Sequence, residues 1–129
     1  MTARLGVIVL LLAGLTGPAR AAVSEDSFAL HRAADLAALC SAAPEEPFGT
    51  PAQNFCHGFI TGVFRVLYDI GLAKGHQLFC LPVPSPARAT LATAFSAWVL
   101  ADPARKDSPA EDALLRFLTT QYPCEGQKR

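Results

Sequence analysis

The sequence predicts an all-α protein, a small four-helix bundle-like domain that carries two disulfides and follows a cleaved signal peptide. Three observations carry that prediction. Beyond residue 21, Val and Ile together number only seven while Ala and Leu dominate, a balance that favours helix over sheet. A hydroxyl residue followed by Pro, a helix-start signal, recurs as Thr50-Pro51, Ser85-Pro86 and Ser108-Pro109. Apolar residues return at helical spacing in each segment these signals delimit.

The first element is the apolar run Leu5–Leu15, which stands behind Arg4 and is too short to span a bilayer. Gly17 and Pro18 end it, and Ala19-Arg20-Ala21 places small residues where signal peptidase requires them. Residues 1–21 therefore read as a secretory signal, with a short membrane anchor as the alternative. No cysteine follows the run to take a lipid. The expected mature domain, residues 22–129, has nine basic and eleven acidic side chains and no second stretch long enough to cross a membrane, so export is expected to deliver a soluble protein. The whole chain of 129 residues has no net charge. That argues against a dedicated nucleic-acid binder, which needs a basic surface to displace counterions.

Four helices are predicted, over roughly 26–41, 51–73, 86–101 and 109–121. The first carries Phe28, Leu36 and Leu39 on one stripe. The second starts at a capping box, with Thr50 as cap, Pro51 at the first helical position and Gln53 three residues after the cap. Its stripe is Phe55, Phe59, Val63, Val66, Leu67 and Ile70. Gly58 and Gly62 stand four apart on one face, where a second helix can approach the backbone, and that face is expected to pack inward. Gly71 and Gly75 bracket its exit. The third helix offers Leu91, Phe95 and Trp98 and stops at Asp102-Pro103. The fourth starts at Ser108-Pro109-Ala110-Glu111, carries Leu114, Phe117 and Leu118, and stops at Tyr122-Pro123. All these aromatics are read as core. The proline-rich connections 44–51, 80–86 and 101–109 are short enough to be loops inside one domain.

Export turns Cys40, Cys56, Cys80 and Cys124 into expected disulfides. The competing reading, a zinc site, lacks any CxxC pair, and no metal is expected. Three pairings are possible. If consecutive helices run antiparallel, Cys40 closing the first lies near Cys56 opening the second, and Cys80 before the third lies near Cys124 after the fourth. A Cys56–Cys80 bridge would have to join the two ends of one helix about 30 Å long, far beyond the disulfide limit of about 7 Å between Cα atoms. Cys40–Cys56 with Cys80–Cys124 is the preferred set, and Cys40–Cys124 with Cys56–Cys80 the least favoured.

No GxSxG elbow, HExxH helix, Walker loop or GxGxxG is present, so neither an enzyme nor a cofactor is expected. His31, His57 and His76 are the available bases, but paired cysteines remove the best nucleophile. Cys56 and His57 are adjacent on a helix and point about 100° apart. Glu45-Glu46 and Glu111-Asp112 read as solvated or capping charges.

The order of motifs carries a resemblance. A leucine-rich helix ends in Cys40; Cys56-His57-Gly58-Phe59-Ile60-Thr61-Gly62 follows; then come Phe79-Cys80-Leu81-Pro82 and finally Tyr122-Pro123-Cys124. Over residues 28–124 this pattern resembles the Rap/Tai family of type VI secretion amidase immunity proteins. The resemblance implies a helical periplasmic protein, often a homodimer, that binds a delivered peptidoglycan amidase and obstructs its cleft without chemistry of its own. It implies structural roles for the four cysteines and the two helix glycines, and no map of the effector contact. Two places depart from the family pattern: Val83-Pro84-Ser85 replaces a glycine-containing turn, and Arg88 stands near a family Gln. Ala73–Gln77 and Ala101–Ser108 are the loops proposed for partner contact. A second class, an acid-stress chaperone of the small helical HdeA type or another envelope protein-binding module, fits size and export but uses one disulfide.

Overall fold

A computed structural model describes residues 22–125; the expected signal sequence, residues 1–21, lies outside them. Those residues form a 3-10 turn, Glu25–Ala29, and five α-helices. The helices are α1 (Ala33–Ser41), α2 (Gly49–Ala73), α3 (Arg88–Leu100), α4 (Pro103–Lys106) and α5 (Ala110–Gln121). No strand occurs among the described residues, and both disulfides take the preferred pairing, Cys40–Cys56 and Cys80–Cys124. None of the helices is long and apolar enough to cross a membrane.

The expected first helix is two pieces. Leu30 adopts a left-handed conformation with φ of 51°, and the chain restarts when the Arg32 backbone N–H donates to Asp35 Oδ2 at 2.9 Å. The break turns Phe28 against Phe48 and Phe55, with ring centroids 6.2 and 5.4 Å apart in edge-to-face geometry. Aromatic packing at the break thus replaces continued helix.

Short α1 is the centre of the fold. It packs against the 3-10 turn and against α2, α3, α4 and α5, and Ala33, Leu36, Ala37 and Leu39 are fully buried. Its alanines bring backbones close enough for a cross-helix bond: the buried Ser96 hydroxyl lies 3.1 Å from the Ala37 carbonyl and 3.0 Å from the Ala92 carbonyl. Around α1 the core is completed by Phe95 and Val99 of α3 and by Leu114, Phe117 and Leu118 of α5. Phe117 receives the rings of Phe95, Trp98 and Tyr122 edge-on, at 5.7, 5.8 and 6.2 Å.

The helix starts differ from the expected boxes. Phe48, not Thr50, precedes α2, and Gln53 instead donates from Nε2 to the Ala42 carbonyl at 2.8 Å. Pro109, not Ser108, precedes α5, while the Ser108 hydroxyl donates to the Arg105 carbonyl at 2.7 Å. All three hydroxyl-Pro signals mark a helix start to within two residues, but the carbonyls of Ala42 and Arg105 capture the polar groups of the two expected boxes. At Asp102-Pro103 the expected stop also begins α4, with Asp102 Oδ1 accepting from the Ala104 N–H at 2.9 Å. The exit of α2 is as expected from its glycines: Gly75, at φ of 74°, donates to Leu72, and His76 donates to Gly71.

The buried face of α2 is rotated from the expected stripe. Ala52, Cys56 and Ile60 are buried and Phe59, Val63 and Leu67 of the stripe pack half-buried against the core, whereas Phe55, Val66 and Ile70 are exposed. Two causes act. Cys56 is bound to Cys40, which turns that side of α2 toward α1. At 1.5 Å per residue α2 is about 37 Å long and α1 about 13 Å, so the second half of α2 runs past its central partner. Gly58 and Gly62 fall on the exposed side, and a Cβ added at either meets nothing within 4 Å. The inward packing expected for them is therefore not made among the described residues.

Candidate partner-binding surface

The loop from Cys80 to Pro86 contains Pro82, Pro84 and Pro86, which fix φ at three of its seven positions. Its start is anchored twice, by the Cys80–Cys124 disulfide with Cα atoms 4.9 Å apart and by the Cys80 N–H donating to Tyr122 at 2.8 Å. Phe79 plugs into the core beside it, with its ring centroid 5.2 Å from that of Phe64. Held this way, the loop displays Val83 almost bare, 98% exposed.

Beside the loop, α2, α3 and α5 diverge around a cavity of about 290 Å³. Ile60, Thr61, Phe64 and Arg65 form its α2 wall; Leu81, Ser85 and Pro86 the loop wall; Arg88 and Leu91 the α3 wall. The floor is Leu114, Phe117 and Leu118 of α5. A second concavity, lined by Tyr68, Gln77, Phe79 and Val83, shares Phe64, Leu81 and Ser85 with the first, so the two form one groove. The groove is apolar apart from hydroxyl and amide groups, the Cys80 sulfur, and the two arginines, and no carboxylate lines it. Arg65 and Arg88 are exposed and make no ion pair or side-chain hydrogen bond among the described residues.

The loop Ala101–Ser108, proposed for contact from the sequence, is internally committed. Arg105 lies 4.1 Å over the Trp98 ring, donates to the Trp98 carbonyl at 2.8 Å and pairs with Asp102 at 3.4 Å. Ala73–Gln77 is the capped, exposed turn after α2.

The candidate bases do not assemble. His31 lies 3.6 Å from Asp26 at the surface, His57 sits on α2 next to a disulfide-bonded Cys56, and His76 reaches only the Lys74 carbonyl. Glu46 Oε1 accepts from the Ala43 N–H, and Glu111 and Asp112 occupy the first turn of α5, where a helix dipole favours them. Among the described residues no group of His, Cys, Asp or Glu could hold a metal ion.

Sequence reasoning named Val83 and Arg88 as departures from a pattern and did not join them to Arg65. The available signal was Arg65 itself, the only charge in the run from Gly62 to Leu67. Joining the groove requires the positions of three helices and a loop.

Fold and surface together define a small, disulfide-stapled helical protein with a preformed apolar groove and no assembled group of catalytic side chains among its described residues. The chain belongs to the family of Rap1a immunity proteins, whose family model matches residues 32–124. No curated protein and no solved structure matches the chain.

Proposed function

We propose that this protein is a periplasmic immunity protein that binds a peptidoglycan amidase delivered by type VI secretion and blocks its cleft. The single observation that carries the reading is the family match across residues 32–124, which spans α1 to the closing Cys124. Membership in an immunity family implies binding to a secreted effector; the amidase is the finer proposal. The apolar run Leu5–Leu15 followed by Ala19-Arg20-Ala21 supports removal of residues 1–21 as an export signal, leaving residues 22–129 as one domain. Two disulfides agree with an oxidising compartment.

Inhibition by occlusion requires a surface that keeps its shape, not a reacting group. Disulfides at both ends of the core lower the entropy lost on binding by holding the surface in place beforehand. A homodimer is part of the proposal: the α2 face that presents Gly58, Gly62 and Val66 is left open among the described residues, and a second copy can approach closely over the glycines.

The test is co-expression in a bacterial periplasm. A periplasm-directed peptidoglycan amidase encoded beside this protein is expected to lyse cells alone and to be harmless with it, and the pair to co-elute on gel filtration. Continued lysis without a complex refutes the amidase reading. For the dimer, Val66→Asp is expected to halve the mass measured by sedimentation equilibrium; a monomeric parent protein refutes it.

A further inference from the structure

We propose that the groove between α2, the Cys80–Pro86 loop and α3 receives an acidic, apolar peptide segment of the partner protein. One large apolar side chain fills the cavity, and a neighbouring carboxylate is held by Arg65 and Arg88. The proposal rests on the partner being a protein, as membership in an immunity family implies.

Size, charge and support all bear on the occupant. A cavity of about 290 Å³ lies at the lower end of the range for ligand pockets, suited to one or two side chains rather than a large cofactor. Its floor of Leu114, Phe117 and Leu118 offers an aromatic or long aliphatic group a dry seat in side chains that are themselves fixed in the core. Arg65 and Arg88 stand on two different walls, so a carboxylate at the mouth would meet a guanidinium from each side. Neither has an acidic partner among the described residues, and no carboxylate of those residues lines the groove, which leaves the mouth positive. Arginine also presents a planar fork suited to carboxylates.

Continuity with the second concavity favours a polypeptide. From the cavity the groove runs over Phe64 and Leu81 toward Tyr68 and Val83, giving an extended chain a path beyond its anchoring side chain. Val83, bare on a loop stapled at its base, supplies an apolar knob beside that path. An anchor in a pocket, a charge pair at its rim and an adjacent knob match the anatomy of protein interfaces.

The experiment titrates ¹⁵N-labelled mature protein with three probes: the capped peptide Asp-Phe-Asp, the capped peptide Lys-Phe-Lys and decanoate. The acidic peptide is expected to shift the amides of Ile60–Arg65, Leu81 and Arg88–Leu91 selectively. The double substitution Arg65→Glu with Arg88→Glu removes two exposed charge contacts and introduces repulsion, and is expected to weaken that binding about tenfold or more. Both side chains are exposed, so the variant should keep the parent melting temperature, which is measured alongside. Equal shifts from the basic peptide, or no shift from the acidic one, overturn the proposal; binding of decanoate alone overturns it in favour of a lipid site.

The same variant enters the co-expression assay. Loss of protection with an unchanged melting temperature supports the groove as the contact, and full protection overturns it while leaving the immunity reading intact. If the parent protein itself gives no protection, the amidase reading falls and the peptide titration alone decides the groove.

Discussion

Replacing Cys80 and Cys124 together by Ser isolates what a disulfide contributes here, because the bridge lies outside the core. Cys80 is exposed and Cys124 half-buried, so Ser at both positions removes the cross-link without opening a buried cavity. The bridge spans 44 residues, and the loop-closure entropy it removes from the unfolded chain corresponds to about 4 kcal/mol at 25 °C. The Cys40–Cys56 bridge spans 16 residues and by the same relation corresponds to about 3 kcal/mol. Small domains have total stabilities of about 5–15 kcal/mol, so losing the longer bridge removes a large share. The assay is urea unfolding followed by far-ultraviolet circular dichroism, with hydrogen exchange of residues 79–86 as a local readout. The midpoint should fall by the equivalent of about 2–5 kcal/mol, and the amide of residue 80, which donates to the Tyr122 carbonyl in the parent, should lose protection first. A double variant within about 0.5 kcal/mol of the parent, or one that holds the loop's exchange unchanged, refutes the claim that this bridge stabilises the domain and positions the groove.

Further substitutions test the packing. Phe95→Ala empties a fully buried site against Phe117 and should cost about 3–5 kcal/mol by chemical denaturation. Gly49→Ala should destabilise by about 1–3 kcal/mol in thermal melts, since its Cβ would overlap the Ala43 carbonyl where α2 begins. Gly75→Ala, forced to φ of 74°, should lose about 1 kcal/mol in the same melts, and Gly75→Asn less, because Asn tolerates that region. In contrast, Gly58→Ala meets open space in a helix interior and should raise the stability of the monomer by up to about 1 kcal/mol; a loss measured at low protein concentration refutes the exposed placement.

The legible parts of the fold were those decided by local chemistry. Proline after a hydroxyl residue marked three helix starts to within two residues, since a missing N–H is harmless there and the fixed φ suits a first turn. Gly75 marked the exit of α2 because only a left-handed residue closes that motif without strain. Cysteine pairing was accessible because helices are rigid rods of known rise, and a rod cannot be bridged end to end. The stripes of α3 and α5 were read correctly at Leu91, Phe95, Leu114, Phe117 and Leu118, all buried.

Other features depended on neighbours distant in sequence. The stripe of α2 was right at Phe59, Val63 and Leu67, which pack against the core, and wrong at its other three residues, because periodicity finds an apolar face without saying how much of it a partner covers. Val66 and Ile70 stay exposed because α1 is too short to reach them, while the Cys40–Cys56 bridge turns α2 toward Cys56 and leaves Phe55 covered only in part, by Phe28. Thr50 and Ser108 had the right chemistry to cap, yet Gln53 bonds the Ala42 carbonyl, which only the packing of α2 on α1 brings near, and Ser108 bonds back to the Arg105 carbonyl of the α4 turn. The continuous first helix broke at Leu30, where packing of Phe28 on Phe48 and Phe55 replaces continued helix.

By itself, then, the sequence determined the helical class, the compartment expectation, the pairing of four cysteines and the family resemblance, because each rests on residue type and spacing along one chain. Tertiary structure alone decided which side of α2 faces outward, where Gly58 and Gly62 lie, and that Arg65 and Arg88 flank one apolar groove. Those are relations among α2, α3, α5 and a stapled loop, and they exist only once α1 has drawn the surrounding helices onto a common core.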